Sequence, residues 1–219
     1  LKLEESQAAA AAGQSILVYS YKEFLTPYEL KIAQVLLTLD DTEQRRKYLN
    51  ARNTIEMLLK LNVIPIINEN DTVATAEIRF GDNDRLSSRV ASMISADCLI
   101  LLSDVDGLYT SNPNTDKNSK FIKSVETIDK EIELMAGSAS IDGTGGMITK
   151  LLAAKTSTAA GCNTVIARGS INRPISAILE GKKATWFSAH GTPKTARKQW
   201  IASSLKPLGS IVIDEGAKK

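Results

Sequence analysis

Residues 98–110 read CLILLSDVDGLYT, an unbroken apolar run that is followed at once by a polar turn. Such a run is typical of a parallel strand that is buried on both faces, and it predicts that Cys98 is a buried, inert thiol. Two similar short runs, Val63 to Ile67 and Thr164 to Ala167, are separated from it by helical patterns. Strands that alternate with helices predict an α/β fold with a parallel sheet.

The helical patterns lie between these strands. Asp41 and Gln44 form a D-x-x-Q capping box, which predicts that a helix begins there and runs to about Leu61. A further strand is expected at 31–38 (KIAQVLLT), and a Gly/Ser-rich loop at 137–146. The other helices are predicted at residues 4–25, 83–95, 126–136 and 147–160.

Composition and charge exclude several classes of protein. The 219 residues are 43% hydrophobic and 24% charged, values that exclude wholesale disorder. Residues 190–219 hold six basic and two acidic side chains, a local net charge of +4. The whole chain has a net charge of +2, so residues 1–189 carry −2. This part of the chain is therefore not a basic surface for binding nucleic acid. The longest run without charge, which includes residues 8–21, is too short to span a bilayer. Two distant cysteines support neither a disulfide framework nor a zinc site.

Polar loops follow the predicted strands, at the sheet edge where α/β proteins gather ligands. Asn68 to Thr72 (NENDT) comes directly after a strand and suits a small ligand with an ammonium group, although an Asx turn would use the same residues. Residues 81–84 (GDND) begin a helix, where an N-cap is the alternative. Ser103 and Asp104 suit a nucleotide pocket, although the Asp106-Gly107 pair alone would explain a turn.

A glycine loop, GTGGMITK at residues 143–150, enters the predicted helix at 147. Its backbone can approach an anion closely, and Lys150 lies about one turn into the helix, within reach of a phosphate. The loop does not match the G-x-x-x-x-G-K-[ST] pattern of a P-loop. Acidic and amide loops together with a glycine–lysine loop favour phosphoryl transfer to a small polar acceptor.

Three segments carry a family resemblance: IPIINENDTVATAEIRFGDNDRLS, LILLSDVDGLYTSNP and GTGGMITKLLAA. Together they resemble the glutamate 5-kinases of the amino acid kinase family. The resemblance implies a three-layer αβα sandwich with a mainly parallel sheet. It also implies transfer of the γ-phosphoryl group of ATP, with Mg²⁺, to the side-chain carboxylate of glutamate, the first step of proline biosynthesis. A cytoplasmic homo-oligomer that proline inhibits is expected, with no membrane partner.

The resemblance also implies roles for individual residues. Asp71 and Asn83 would contact glutamate, with Asn70 and Asp82 nearby. Asp84 would organise the catalytic lysines, and Lys150 would neutralise charge on the transferring phosphoryl group. No protein residue is expected to form a dedicated metal site. The ATP contacts would be Ser103, Asp104, Thr144, Gly145, Gly146, Met147, Ile148, Thr149 and Lys150.

Two family motifs are absent from this chain, an opening strand that ends in K-x-G-[ST] and an S-G-A-x-x-x-G loop. We therefore expect a fragment that lacks its N-terminal strands, about 60 residues or two βα units, and that is inactive or nearly so by itself. Residues 1–196 would form the kinase domain, and residues 197–219 a linker and the start of a PUA-like domain. The alternatives are an amino acid kinase with another acceptor, or an inactive fragment with a regulatory or RNA-binding role. The modest charge of the tail makes RNA the weaker choice.

Overall fold

The computed structural model describes residues 2–73, 83–137 and 146–190. No helix within these ranges has both the length and the hydrophobicity needed to cross a membrane. The helices are α1 (Leu3–Leu25), α2 (Leu39–Glu43), α3 (Arg45–Lys60), α4 (Asn83–Met93), α5 (Lys130–Met135), α6 (Met147–Ala159) and α7 (Pro174–Leu179), with a 3₁₀ turn at Thr26–Tyr28. The strands are β1 (Lys31–Leu37), β2 (Val63–Glu69), β3 (Cys98–Ser103), β4 (Leu108–Tyr109), β5 (Phe121–Ile122), β6 (Ser124–Val125), β7 (Asn163–Arg168) and β8 (Ala184–Phe187).

The described strands form two sheets and a short ribbon. A four-stranded sheet has the order β3-β7-β8-β6, in which β3 is parallel to β7 and β6 is parallel to β8, while β8 runs antiparallel to β7. β1 and β2 form a parallel pair, and β4 and β5 an antiparallel ribbon. The prediction of a mainly parallel α/β sheet is confirmed.

Helices cover both faces of the four-stranded sheet. Ile166 of β7 packs in one core cluster with Leu151 and Ala154 of α6. Its neighbours along the strand point the other way, and Val165 packs in a second cluster with Ile178 of α7. Because successive side chains of a strand alternate between faces, α6 and α7 lie on opposite sides of the sheet. The predicted three-layer αβα sandwich is therefore confirmed.

Helix α4 links the two sheets. Leu37 of β1 and Ile67 of β2 pack against Leu86 and Val90 on one side of α4. The same helix contacts β3 and lies along α6. The first turns of α4 and α6 are thereby brought together beside the carboxyl ends of β2 and β3.

Strand β3 is less buried than its apolar run predicts. Leu101 is buried, but Leu102 is 46% exposed and Cys98 is exposed as well. The prediction that the run is buried on both faces, and that Cys98 is a buried thiol, is wrong. Among the described residues β3 pairs with β7 alone, so it lies at the edge of its sheet, where cover by neighbouring elements is incomplete. The buried cysteine is Cys162, where burial raises the thiol pKa to about 11.

The start of the second helical segment also differs from the prediction. Thr38, not Asp41, is the capping residue: the Thr38 N–H donates to Asp41 Oδ2 at 2.7 Å, and the Asp41 N–H donates to Thr38 Oγ1 at 3.3 Å. An N-cap residue needs an extended backbone, and Thr38 has one because it leaves β1. Gln44 has φ −75° and ψ 118°, which separates α2 from α3.

We expect Thr38→Ala to lower the free energy of unfolding by about 1 kcal/mol, because it removes a helix cap. Gln44→Ala is the matched control. Its side chain makes an exposed hydrogen bond to Asp40, so its expected cost is below about 0.5 kcal/mol. Urea unfolding of both variants measures the difference. A larger loss for Gln44→Ala would restore the D-x-x-Q capping box and contradict the structure.

Most remaining helix and strand predictions are confirmed to within about two residues, with one exception. The predicted helix at 126–136 is the short α5, which begins after Asp129, whose carboxylate accepts from the Ile132 N–H at 3.0 Å. Residues 124–125, just before the predicted helix, form strand β6, which pairs with β8. The two-residue strands, β8 and α7 were not predicted, because short elements show too little periodicity.

Candidate active site

The centre of the candidate site is a pair of opposite charges on two different helices. Asp84 lies in the first turn of α4 and Lys150 in the first turn of α6, and Lys150 Nζ lies 3.0 Å from Asp84 Oδ2. Only 17% of the Asp84 side chain and 13% of the Lys150 side chain are exposed. The Thr149 hydroxyl donates to the same Asp84 oxygen at 3.0 Å. The carboxylate thus holds the ammonium group in a defined position.

The N-terminus of α6 lies at this pair. Gly146 caps the helix with φ +122°, a conformation that side-chain-bearing residues rarely adopt. The first N–H groups of a helix have no partner within the helix, and its dipole favours negative charge there. An anion at this end would meet backbone donors and the Lys150 ammonium together.

Ser103 and Asp104 lie at the carboxyl end of β3, close to the same lysine. The Ser103 hydroxyl donates to Asp104 Oδ1 at 2.8 Å. This hydrogen bond, together with the positive charge of Lys150, lowers the pKa of the Asp104 carboxyl below its ordinary value. The backbone is anchored here because the Gly169 N–H donates to the Ser103 carbonyl at 2.7 Å. An ionised, exposed carboxylate therefore faces the neighbourhood of Lys150.

The loop after β2 is an ordered turn. The Asn70 N–H donates to the Leu37 carbonyl at 2.9 Å, and its side-chain carbonyl accepts from the Thr72 hydroxyl at 2.6 Å. The Asn70 side chain therefore stabilises the turn, as expected if this loop is an Asx turn. Asp71 is partly buried beside it, and Asn83 is exposed at the first residue of α4.

Sequence reasoning overlooked Gln14 of α1. Its Oε1 accepts from Asn68 Nδ2 at 2.8 Å, which ties α1 to the end of β2. The Gln14 Nε2 is buried without a hydrogen-bond partner in the described part of the chain. In the structure Gln14 shares the inward face of α1 with Val18 and Leu25, since all three are partly buried at helical spacing.

The structure brings some of the predicted site residues into contact and leaves others apart or undescribed. Asp84, Thr149 and Lys150 are in contact, and Asp104 lies within electrostatic reach of Lys150. Met147 packs against the apolar core, so its side chain is structural, and Ile148 is partly buried beside it. Asp82, Thr144 and Gly145 lie outside the described residues. No group of three potential metal ligands occurs within the described ranges.

An ammonium group, a hydroxyl and a helix N-terminus that converge on one point suit a group whose negative charge grows during reaction. Preorganised positive charge of this kind is the main catalytic device for phosphoryl transfer. Asp84 orients Lys150 by direct contact, and the Asp104 carboxylate lies within electrostatic reach of the same ammonium group. The geometry therefore fits phosphate chemistry better than acyl transfer through a protein nucleophile.

Comparisons with known proteins identify relatives of this chain. The chain is 56% identical to a glutamate 5-kinase of Paramagnetospirillum magneticum and 57% identical to one of Agrobacterium fabrum, over all of its length in both cases. It spans 60% and 57% of the length of these relatives.

Solved structures of the same fold have distant sequences. The UMP kinase of Bacillus anthracis matches 87% of this chain and 72% of its own chain, with a TM-score of 0.57 and 14% identity. The isopentenyl phosphate kinase of T. acidophilum matches 79% of this chain and 66% of its own, with a TM-score of 0.54 and 11% identity. The model of the amino acid kinase family matches residues 1–168, which include the α4 and α6 termini and the end of β3. This chain is therefore a member of the amino acid kinase family.

Proposed function

We propose that this protein transfers the γ-phosphoryl group of ATP to the side-chain carboxylate of L-glutamate and forms L-glutamyl 5-phosphate, the first step of proline biosynthesis. The observation that carries the proposal is the contact of Lys150 with Asp84 and Thr149 at the N-terminus of α6. The relatives that are 56–57% identical over the whole chain, named glutamate 5-kinase, support glutamate as the acceptor.

The reaction requires little from a protein beyond positioning and charge. The carboxylate of glutamate, with an ordinary pKa near 4.3, is already ionised at neutral pH, so no general base is needed. One of its oxygens forms the new P–O bond while the bond from the γ-phosphorus to the bridging oxygen breaks, and the electron pair leaves on ADP. Lys150 and the free N–H groups of α6 would stabilise the charge on the transferring oxygens.

The nucleotide would lie between the end of β3 and the start of α6. Ser103 and Asp104 would contact ATP on one side, and the 144–150 segment would hold its phosphates on the other. ATP would bind with Mg²⁺, which supplies charge neutralisation on the phosphates. Mg²⁺ is held through nucleotide phosphates and one or two carboxylates, and the ionised Asp104 is an oxygen ligand of the preferred type.

The glutamate would lie between the loop after β2 and the start of α4. Asp71 would accept from its ammonium group, because a carboxylate forms strong charge-assisted hydrogen bonds. Asn83 would bind a carboxylate or the amine, with Asn70 shaping the turn and Asp82 nearby. Asn83 directly precedes Asp84 in the first turn of α4, so an acceptor bound there would face the phosphate held at Lys150.

The test is a comparison of acceptors with the protein expressed from its complete reading frame. ADP release is measured with L-glutamate, L-aspartate, N-acetyl-L-glutamate and UMP at equal concentrations of MgATP. We expect glutamate to give the highest kcat/KM by at least 100-fold. A higher kcat/KM for another acceptor would overturn the proposed substrate and favour a different amino acid kinase. No turnover with any acceptor, combined with salt-sensitive RNA binding, would favour the regulatory alternative.

We propose three further properties of the whole protein: a cytoplasmic location, inhibition by proline and self-association. The family resemblance supports a cytoplasmic location. The family resemblance supports proline as the inhibitor. Self-association is supported by α1, whose exposed apolar side chains include Ile16, 68% exposed, and Phe24, 77% exposed.

A further inference from the structure

The loop that carries Ser103 and Asp104 ends in the β4–β5 ribbon, which is attached to β8 by one threonine. The Leu108 N–H donates to Thr185 Oγ1 at 2.8 Å, and the Thr185 hydroxyl donates to the Ile122 carbonyl at 2.6 Å. Leu108 and Thr185 are both fully buried. The contact is close because Gly107 has no side chain: a Cβ there would lie 2.5 Å from Thr185 Oγ1.

Lys183, two residues earlier, reaches the side chains of the same loop. Its Nζ donates to the Tyr109 hydroxyl, lies 3.2 Å from Asp106 Oδ2, and sits 4.8 Å from the ring centres of both Tyr109 and Phe121. The Tyr109 hydroxyl donates in turn to Asp106 Oδ1 at 3.1 Å. A single ammonium group therefore joins a carboxylate and two aromatic rings.

The Asp106 carboxylate is held by two contacts: Lys183 Nζ lies 3.2 Å from its Oδ2, and the Tyr109 hydroxyl donates to its Oδ1 at 3.1 Å. Asp106 lies two residues after Asp104, in the same short connection between β3 and β4. The connection is thus anchored at Ser103 by the Gly169 N–H and at Asp106 by Lys183.

We infer that Lys183 is a positioning residue for the nucleotide site: through Asp106 and Tyr109 it holds the 103–109 loop in the conformation that presents Ser103 and Asp104. The inference rests on the proposed function only in that ATP binds at Ser103 and Asp104. When a loop adopts several conformations, only the binding-competent one holds the ligand. The apparent affinity then falls in proportion to the fraction of molecules in that conformation. Lys183 contacts neither Ser103 nor Asp104 directly, so its effect reaches the nucleotide through the loop.

The experiment compares Lys183→Met with Lys182→Met in the protein from the complete reading frame. Methionine keeps an unbranched apolar side chain and loses the ammonium group. Lys182 is the matched control, because its ion pair with Glu180 is exposed and lies outside the cluster. We expect Lys183→Met to raise the Kd for MgATP about five- to tenfold, with the Kd for glutamate unchanged, and Lys182→Met to change neither. Lys183→Arg, which keeps the charge and stacks on aromatic rings, should restore binding to within about threefold of the original.

A second measurement separates failure of the inference from failure of the proposed function. Amide hydrogen exchange of the 103–109 segment without nucleotide should be faster in Lys183→Met and unchanged in Lys182→Met. Unchanged exchange, or an unchanged Kd for MgATP in Lys183→Met, would overturn the positioning role. Equal losses of ATP and glutamate affinity would also overturn it, because they indicate general destabilisation. Failure of the original protein to bind MgATP would instead refute the proposed function, and with it the nucleotide role of Lys183.

Discussion

Lys150→Ala should lower kcat about 10²–10³-fold, while the KM for glutamate changes by less than about threefold. The ammonium group is expected to stabilise charge that develops on the transferring phosphoryl group, and removal of one preorganised electrostatic contact typically costs that much in rate. Glutamate would be bound by the loops after β2 and before α4, which the substitution leaves intact. Steady-state ADP release with the protein from its complete reading frame measures both constants.

Lys155→Ala is the matched control for Lys150→Ala. Lys155 lies on the same helix, and its 55% exposed side chain forms an ion pair with Glu133. We expect its kcat to stay within twofold of the original, since exposed ion pairs contribute little. If Lys150→Ala retains more than about a fifth of the original kcat, Lys150 does not neutralise the transferring phosphoryl group.

The second large effect is expected for Asp84→Asn, which should lower kcat about 10–100-fold. The substitution keeps the size of the side chain but removes the charge that holds Lys150 Nζ at 3.0 Å. A catalytic group that is displaced by about 1 Å can lose about 100-fold in rate. Glu133→Gln, which removes the charge opposite Lys155, should leave kcat within twofold.

A double variant distinguishes orientation of Lys150 from an independent role of Asp84. If Asp84 acts through Lys150, the variant with both Asp84→Asn and Lys150→Ala should be no slower than Lys150→Ala alone. Coupled residues are non-additive in this way. Multiplicative losses in kcat would show that Asp84 contributes by another route, for example by a direct contact with substrate.

Much of the fold could be predicted because it depends on local pattern. Helix α6 and strand β7 were predicted within one residue at each end. Helical spacing over several turns marks α6, and a continuous apolar run marks β7. Strand β8 was not predicted, because its four residues, ATWF, lack a pattern that distinguishes a strand from a loop. It nevertheless lies between β7 and β6 in the sheet, and its antiparallel direction has no local signal.

In the candidate site, too, features with a local sequence pattern were predicted and contacts between distant residues were not. The polar loops at the ends of β2 and β3 were predicted, because ligands gather at the carboxyl ends of strands in α/β sheets. The partners of these residues were not predicted. Gln14 contacts Asn68 across 54 positions, and Lys183 contacts Tyr109 across 74, and such separations leave no mark in spacing or composition.

The sequence by itself determined the α/β class, most helix and strand positions and which loops carry charged and amide side chains, because these follow from periodicity over a few residues. Tertiary structure decided which of those side chains meet. Asp84 and Lys150 are 66 positions apart and form an ion pair only because α4 packs along α6. It also decided that Leu102 is exposed and that Thr38 caps α2, since burial and capping depend on what lies beside a residue in space.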